Sequence, residues 1–198
     1  MPSPDPALRT VLAIAGSLRR ESFNRRALLA ASALAPSTLK INVFDDLAAV
    51  PLFNEDLETQ HAPPGVERLR SAIADADGVL IATPEYNQSL PGVVKNMVDW
   101  LSRGEPVVLD GKPAGILGAT PGSWGTRLAQ SMLRHTLTAC GALVMPAPQL
   151  YLRSAAGLFD AQGRVIDSRT QDSLIAFLAS FDEWLRRQQG PRDRGGRA

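Results

Sequence analysis

The residues best suited to chemistry begin with a polar stretch at positions 17–24, SLRRESFN. It offers the hydroxyls of Ser17 and Ser22, the guanidinium of Arg19 and the amide of Asn24, next to a predicted helix N-terminus. Oriented N–H groups, hydroxyl donors and a guanidinium together suit a terminal phosphate dianion. Asn24 is the expected N-cap. The alternative from this stretch alone is a polar surface loop with an ordinary helix cap.

The same stretch argues against two other kinds of phosphate site. It lacks the Gly-x-Gly-x-x-Gly pattern that brings a backbone against a pyrophosphate, and it lacks the Gly-Lys-Ser/Thr ending of a nucleotide-hydrolysing loop. A monophosphate ligand is therefore favoured over a dinucleotide as the tightly bound cofactor.

The second polar stretch follows the apolar run at 79–82. Pro84 ends that run because it has no backbone N–H to donate to a sheet. A planar side chain and several polar groups then come from Tyr86, Asn87 and Ser89, a mixture that suits the wall and edge of a flat heteroaromatic ring. The alternatives are a core position for Tyr86 and a turn position for Asn87. Glu85 has no partner at useful spacing for a general base, so we interpret it as a structural or backbone contact.

The rest of the chain alternates apolar runs with helical periodicity. The predicted strands cover 10–15, 40–44, 79–82, 113–120 and 142–145. The predicted helices cover about 24–34, 65–76, 91–101 and 126–140, and a last helix places one apolar face on Leu174, Phe177, Leu178, Phe181, Trp184 and Leu185. Residues 45–64 and 151–165 are expected to be irregular.

This alternation predicts an α/β fold with a doubly wound, five-stranded parallel sheet and helices on both faces. Of the two common doubly wound arrangements, we choose the flavodoxin-like order 2-1-3-4-5. In such a sheet a ligand lies at the carboxyl edge between the first and third strands, where the strand order reverses. Those two strands end at the two polar stretches. Both stretches are therefore expected at one crevice.

Composition limits the function classes. The 198 residues fit one domain, expected at 10–189, with a loose leader at 1–9 and a Gly- and Arg-rich tail at 190–198. A net charge of +1 gives no reason to expect nucleic-acid binding, and no apolar run is long enough for membrane insertion. The single cysteine, Cys140, fits a reducing compartment, so a cytoplasmic location is expected. His61 and His135 have no acid or cysteine at ligand spacing, so no metal site is predicted.

Three segments carry a more specific signal: GSLRRESFNRRAL, TPEYNQSLPGVVKNMVDWLSR and GATPGSWGTRLAQSMLR. Together they resemble the NADPH-dependent FMN reductase family, which includes bacterial quinone, chromate and azo-dye reductases. The resemblance extends from about residue 10 to residue 184. It implies a flavodoxin-like fold, bound FMN and NADPH or NADH as electron donor. It also implies a homodimer or homotetramer with the flavin near a subunit interface.

The family's FMN contacts carry over to three loops of this sequence. The positions are Ser17, Arg19, Ser22, Phe23, Asn24, Pro84, Glu85, Tyr86, Asn87, Thr120, Pro121 and Gly122. After Gly122 the sequence departs from the family pattern, because SWGTR at 123–127 replaces a more Gly-rich run. Trp124 either stacks over a substrate or partner subunit or packs under the loop, and we favour packing. Arg127 and Arg134 either join subunit contacts or are exposed charges.

The resemblance implies a two-electron, NAD(P)H-dependent reductase in which the flavin carries the chemistry and no side chain is catalytic. Hydride would pass through flavin N5 to quinones or similar acceptors (chromate, azo compounds, ferric chelates, free flavin) with ping-pong kinetics. A flavodoxin-type FMN electron carrier that does not oxidise NAD(P)H is the alternative, although such carriers tend to be strongly acidic. A phospho-receiver domain needs carboxylates where Gly16-Ser17 and Thr83-Pro84 stand.

Overall fold

The computed structural model describes residues 7–58, 61–160 and 162–188. The strands are β1 Arg9–Ala15, β2 Leu39–Phe44, β3 Gly78–Ala82, β4 Pro113–Ala119, β5 Leu143–Val144 and β6 Leu150–Leu152. The helices are α1 Phe23–Ala33, α2 Pro64–Ala74, α3 Gly92–Leu101, α4 Arg127–Ala139 and α5 Ser168–Gln188. Short 3₁₀ turns cover Leu47–Ala49, Glu55–Glu58 and Ala155–Gly157.

The sheet is parallel with the order β2-β1-β3-β4-β5, which confirms the predicted flavodoxin-like topology. The register places Ile14 of β1 beside Phe44 of β2 and Ile81 of β3. The strand order therefore reverses at β1, and the carboxyl ends of β1 and β3 lie side by side.

The fifth position of the sheet differs from the expectation of one continuous strand. β5 pairs with the first two residues of β4, and β6 pairs with the last three. The interval between them contains Pro146 and Pro148, which have no N–H to donate to a ladder. The prediction that residues 151–165 are irregular is wrong at residues 151 and 152, because the chain returns to the sheet after these prolines.

Helices cover both faces of the sheet, and alternate strand residues enter separate cores. α1 and α5 pack with Val11 and Ala13 on one face. α2, α3 and α4 pack with Leu12 and Ile14 on the other. This is the two-residue period of a strand buried on both sides. In α3, the fully buried Trp100 also donates its indole N–H to the Pro51 carbonyl at 2.9 Å, which holds part of the irregular 45–64 segment against the second core.

The chain enters the sheet one residue earlier than expected. Arg9, placed in the loose leader by the sequence interpretation, begins β1 and is only 6 % exposed. Its guanidinium pairs with Asp182 of α5 at 2.7 Å, and the Thr38 hydroxyl donates to the same carboxylate at 2.7 Å. A paired guanidinium can be buried where an unpaired one cannot. The rest of the predicted leader up to residue 6, and the predicted tail 190–198, lie outside the described residues.

Two helix starts also differ from prediction. α1 begins at Phe23 with Ser22 as its N-cap, so the assignment of Asn24 as the cap is wrong. α3 begins at Gly92, and Pro91 is its N-cap instead of lying in the first turn. No helix in the described ranges has the length and apolar character needed to cross a membrane.

Candidate active site

The three predicted loops meet at the carboxyl edge of the sheet, around a cavity of about 250 Å³. Its lining residues are Ser17, Arg19, Ser22, Phe23, Asn24, Pro84, Glu85, Tyr86, Ala119, Thr120 and Pro121. Every carried-over contact residue except Asn87 and Gly122 is in this set. β1, β3 and β4 thus bring together side chains that are more than 100 positions apart in sequence.

Close backbone approach brings the loops this near to one another. Gly16, at the end of β1, donates its N–H to the Ala82 carbonyl at 2.8 Å. A Cβ at Gly16 would lie 2.4 Å from the Val94 side chain of α3, so no larger residue fits without a shift. The absence of a side chain therefore allows the loop after β1 to pass directly beside the loop after β3.

The first loop leads into α1 with features that suit a phosphate. Ser22 caps the helix by accepting a hydrogen bond from the Arg25 N–H at 3.3 Å. Within the described chain, the first-turn N–H groups of Phe23 and Asn24 donate to no acceptor, and the Arg19 guanidinium has no ion pair. Open N–H groups at a helix N-terminus and a free guanidinium form a site for an anion. The residues present therefore fit the phosphate of FMN.

Asn24 has a different role from the one expected. Its Nδ2 donates to the Ala119 carbonyl at 2.9 Å, and the Ala119 N–H donates to its Oδ1 at 2.9 Å. Because the side-chain amide is buried and held at both atoms, Asn24 joins the first loop to the end of β4. No local pattern reveals this pairing, since the two residues are 95 positions apart.

The loop after β3 turns back at Asn87 and Gln88. Both residues have positive φ, 52° and 60°, and Tyr86 and Ser89 exchange backbone hydrogen bonds of 3.3 and 3.0 Å across the turn. This is the geometry of a tight two-residue hairpin turn. The Tyr86 side chain is 47 % exposed and lines the cavity, so the alternative of a core aromatic is wrong. Asn87 occupies a turn position, outside the lining set.

Glu85 connects the loop after β3 to the helix after β4. Its Oε2 accepts the backbone N–H groups of Leu128 at 2.9 Å and Ala129 at 3.0 Å, both in the first turn of α4. A carboxylate at this position accepts hydrogen bonds from N–H groups that have no partner within the helix, and it interacts favourably with the positive end of the helix. The structural interpretation of Glu85 agrees with this geometry, although the sequence does not identify its partner.

The loop after β4 is shaped by Thr126, which sequence reasoning did not place in the site. Thr126 is completely buried, and a Cβ at Gly118 would lie 2.0 Å from its Oγ1. Gln130, also missed, is buried and donates through Nε2 to Thr126 Oγ1 at 3.0 Å and to the Leu150 carbonyl at 2.9 Å. Its spacing with Leu133 and Leu137 on the inner face of α4 is the signal that identifies it as buried.

Trp124 does not pack under this loop. Its side chain is 68 % exposed, so the favoured interpretation is wrong. Thr126, two residues later in the same loop, is by contrast completely buried. Arg127 lies over the Tyr151 ring at 4.5 Å, and Arg134 donates to the Met145 carbonyl at 2.7 Å. Arg134 is therefore hydrogen-bonded within its own chain instead of being a free exposed charge.

Two side chains with shifted pKa values lie at the opposite edge of the sheet. Burial raises the pKa of the Cys140 thiol, at the end of α4, and the nearby Asp99 carboxylate acts in the same direction. Burial lowers the pKa of the Lys112 ammonium, which precedes β4 and donates to the Ala76 carbonyl at 2.7 Å.

Among the residues described, no group of three or more His, Cys, Asp or Glu side chains could hold a metal ion.

Comparisons with known proteins point to one family. The model of the NADPH-dependent FMN reductase family matches residues 9–157. An NAD(P)H-dependent FMN reductase of Pseudomonas aeruginosa is 43 % identical over 91 % of this chain and 97 % of its own length. A 2-hydroxy-1,4-benzoquinone reductase of Burkholderia sp. is 38 % identical over 89 % of this chain and 96 % of its own.

Among solved structures, FerB of Paracoccus denitrificans, a flavoenzyme NAD(P)H:(acceptor) oxidoreductase, superposes with a TM-score of 0.85 at 35 % identity. The superposition covers 91 % of this chain and 99 % of FerB. The resemblance found in the three sequence segments is confirmed, as is the assignment as an FMN-using, NAD(P)H-dependent oxidoreductase. With the family model matching most of its length, the chain belongs to the NADPH-dependent FMN reductase family.

Proposed function

We propose that this protein is an FMN-dependent NAD(P)H:quinone reductase. The observation that carries the proposal is the cavity at the β1–β3 reversal point, with the open first turn of α1 on one side and the exposed ring of Tyr86 on the other. Quinones are the proposed acceptors because relatives at 38 % identity are named 2-hydroxy-1,4-benzoquinone reductase, from Burkholderia sp., and quinone reductase, from Escherichia coli K12.

Each part of the cavity has a proposed task toward FMN. The phosphate is held by Ser17, Arg19, Ser22 and the first-turn N–H groups of α1. Pro84, Tyr86, Thr120 and Pro121 line the ring system. When bound, FMN supplies the two-electron chemistry that links NAD(P)H to the acceptor. The protein's own contribution is then binding and orientation, and no side chain acts as an acid or base.

Both substrates are proposed to approach from one side. A second cavity of about 450 Å³ adjoins the first and shares Ser17, Arg19 and Tyr86 with it. One open approach used in turn by the donor and the acceptor implies ping-pong kinetics. It also implies loose acceptor specificity, which extends the proposal to chromate, azo compounds, ferric chelates and free flavin.

The working form is proposed to be a homodimer or homotetramer located in the cytoplasm. Tyr86, Trp124, Leu128 and Met132 are large apolar side chains that stay exposed on neighbouring elements around the site. The Ser89 hydroxyl contacts the Met132 sulfur at 3.6 Å, so the loop after β3 and the outer face of α4 form one surface. Exposed apolar surface that is continuous over several elements is typical of a subunit interface.

The experiment is an anaerobic stopped-flow measurement on the FMN-loaded protein. We expect NADPH or NADH to bleach the flavin absorbance, and 1,4-benzoquinone added afterwards to restore it with reduction of one quinone per flavin. If neither nucleotide bleaches the flavin, the protein does not oxidise NAD(P)H, and the electron-carrier alternative replaces this proposal.

A further inference from the structure

A separate cavity of about 430 Å³ lies on the other side of the first loop, between the carboxyl ends of β1 and β2. Its wall includes Arg19, Arg20, Arg25, Phe44 and Asp45. Arg19 lines both this cavity and the proposed FMN cavity, whereas Arg20 and Arg25 line only this one. A single FMN phosphate therefore leaves two of the guanidinium groups without a ligand to bind.

The charge in this cavity is unbalanced. Three arginines face one carboxylate, Asp45, which accepts a hydrogen bond from Arg25 at 2.9 Å. Arg20 has no ion pair in the part of the chain that the structure describes. Nearby arginines differ in this respect: Arg26 is paired with Glu21 at 2.5 Å, and Arg68 with Asp46 at 2.8 Å. Because an arginine stays charged at all working pH values, the cavity attracts an anion with more than one negative charge.

The remaining wall is apolar. Leu18, Phe44 and Leu47 line it together with the small side chains of Ala15 and Ala48. An apolar wall beside a cationic rim suits a flat base that carries a phosphate nearby, and the volume lies within the range of about 300–1,000 Å³ for small-molecule sites.

The position of the cavity indicates which ligand this is. It shares Ser17, Leu18 and Arg19 with the 450 Å³ cavity beside Tyr86. An extended molecule can therefore run over the first loop from Tyr86 to Arg20. We propose that the Arg20–Arg25 cavity binds the adenosine 2′-phosphate end of NADPH, so that the enzyme prefers NADPH to NADH. This inference rests on the proposed function, in which the electron donor approaches through the 450 Å³ cavity beside Tyr86.

The first test measures binding without turnover. Adenosine 2′,5′-bisphosphate and adenosine 5′-monophosphate are titrated calorimetrically into FMN-loaded protein, so that the FMN phosphate site is already filled. We expect the bisphosphate to bind at least about tenfold more tightly, because its 2′-phosphate makes charge-assisted contacts that the monophosphate lacks. Arg20→Ala should remove most of this difference, and Arg25→Ala should reduce it. Arg68→Ala removes the same charge nearby, outside the cavity wall, and should leave the difference intact.

The second test compares kcat/KM for NADPH with kcat/KM for NADH. In Arg20→Ala the ratio should fall about tenfold or more while the value for NADH is nearly unchanged. The inference is overturned if the bisphosphate and the monophosphate bind equally tightly to the parent protein. It is also overturned if Arg20→Ala lowers kcat/KM for NADPH and kcat/KM for NADH by the same factor. Failure of the proposed function looks different, because the flavin would then not be reduced by either nucleotide even where the bisphosphate binds.

Discussion

Asn24 and Ala119 are joined by two hydrogen bonds of 2.9 Å each: Nδ2 of Asn24 donates to the Ala119 carbonyl, and Oδ1 of Asn24 accepts the Ala119 N–H. The pair completes the last residue of β4 as a neighbouring strand would, although the partner is a side chain in the first turn of α1. It therefore sets the distance between the loop proposed to hold the FMN phosphate and the loop proposed to line the ring.

Replacing Asn24 should lower the free energy of unfolding of the protein. Asn24→Ala removes both bonds and leaves a buried N–H and C=O unpaired, at a cost of about 2–3 kcal/mol in the free energy of unfolding. Urea denaturation followed by circular dichroism measures this change. Asn42→Ala, an exposed asparagine in β2, is the control and should cost little. Equal urea midpoints for Asn24→Ala and the parent would show that the pair contributes nothing to stability.

Replacing Glu85 should weaken FMN binding indirectly. Glu85→Ala leaves the first-turn N–H groups of α4 without their carboxylate, which we expect to cost about 1 kcal/mol of stability and to loosen the loop that carries Tyr86. Glu85→Gln keeps an acceptor oxygen but loses the charge, so it should fall between the parent and Glu85→Ala. Thermal unfolding and FMN fluorescence quenching measure the two effects. A changed pH profile of turnover with unchanged stability would instead make Glu85 an acid or base.

Arg19 should affect FMN retention far more than the rate per bound flavin. Arg19→Ala removes a charged contact to the phosphate, so the FMN dissociation constant should rise about tenfold or more. Fluorescence titration of the apoprotein gives the dissociation constant, and turnover at saturating FMN gives the rate. Arg186→Ala, an exposed arginine on α5, serves as the control. Equal FMN occupancy in Arg19→Ala and the parent would contradict the phosphate assignment.

Gly118→Ala should distort the part of the site formed by the loop after β4. The added Cβ would lie 2.0 Å from Thr126 Oγ1 and 2.5 Å from the Thr83 carbonyl oxygen, so either the loop after β4 or the end of β3 must move. Overpacking of this kind costs about 1–3 kcal/mol. Gly157→Ala meets no atom within 4 Å and is the matched control. A Gly118→Ala protein with the parent's melting temperature and FMN affinity would mean that the contact relaxes freely.

Cys140 should be a slow thiol. Burial raises its pKa, so at a given pH the native protein holds less thiolate than a free cysteine does, and the thiolate is the reactive form. We expect iodoacetamide to react with the native protein more slowly than with the urea-unfolded protein at pH 8. The difference between the two reaction rates should become smaller as the pH rises through the raised pKa of Cys140. Equal rates for the two forms at pH 8 would contradict the shift.

The apolar runs and the glycine and proline residues between them were enough to predict a doubly wound parallel sheet, whereas its flavodoxin-like strand order was a choice between two common arrangements. A strand buried on both faces has a continuous apolar run, and Gly16 and Pro84 mark where two such runs stop. Once β1 and β3 are adjacent, the loops that follow them must share one edge. The motif resemblance added the cofactor, because those loops carry the same residue types at the same positions as the family.

The tertiary structure decided which partner each polar side chain takes. Asn24 was expected to cap its own helix, but Ser22 is the cap and the amide reaches Ala119 on a strand 95 residues away. Glu85 accepts two N–H groups of the first turn of α4, and Trp124 is exposed whereas Thr126 in the same loop is buried. Local pattern reports whether a residue prefers a cap, a turn or a core. Distant donors and acceptors come within hydrogen-bond reach only when the sheet is assembled, so those choices follow from the fold.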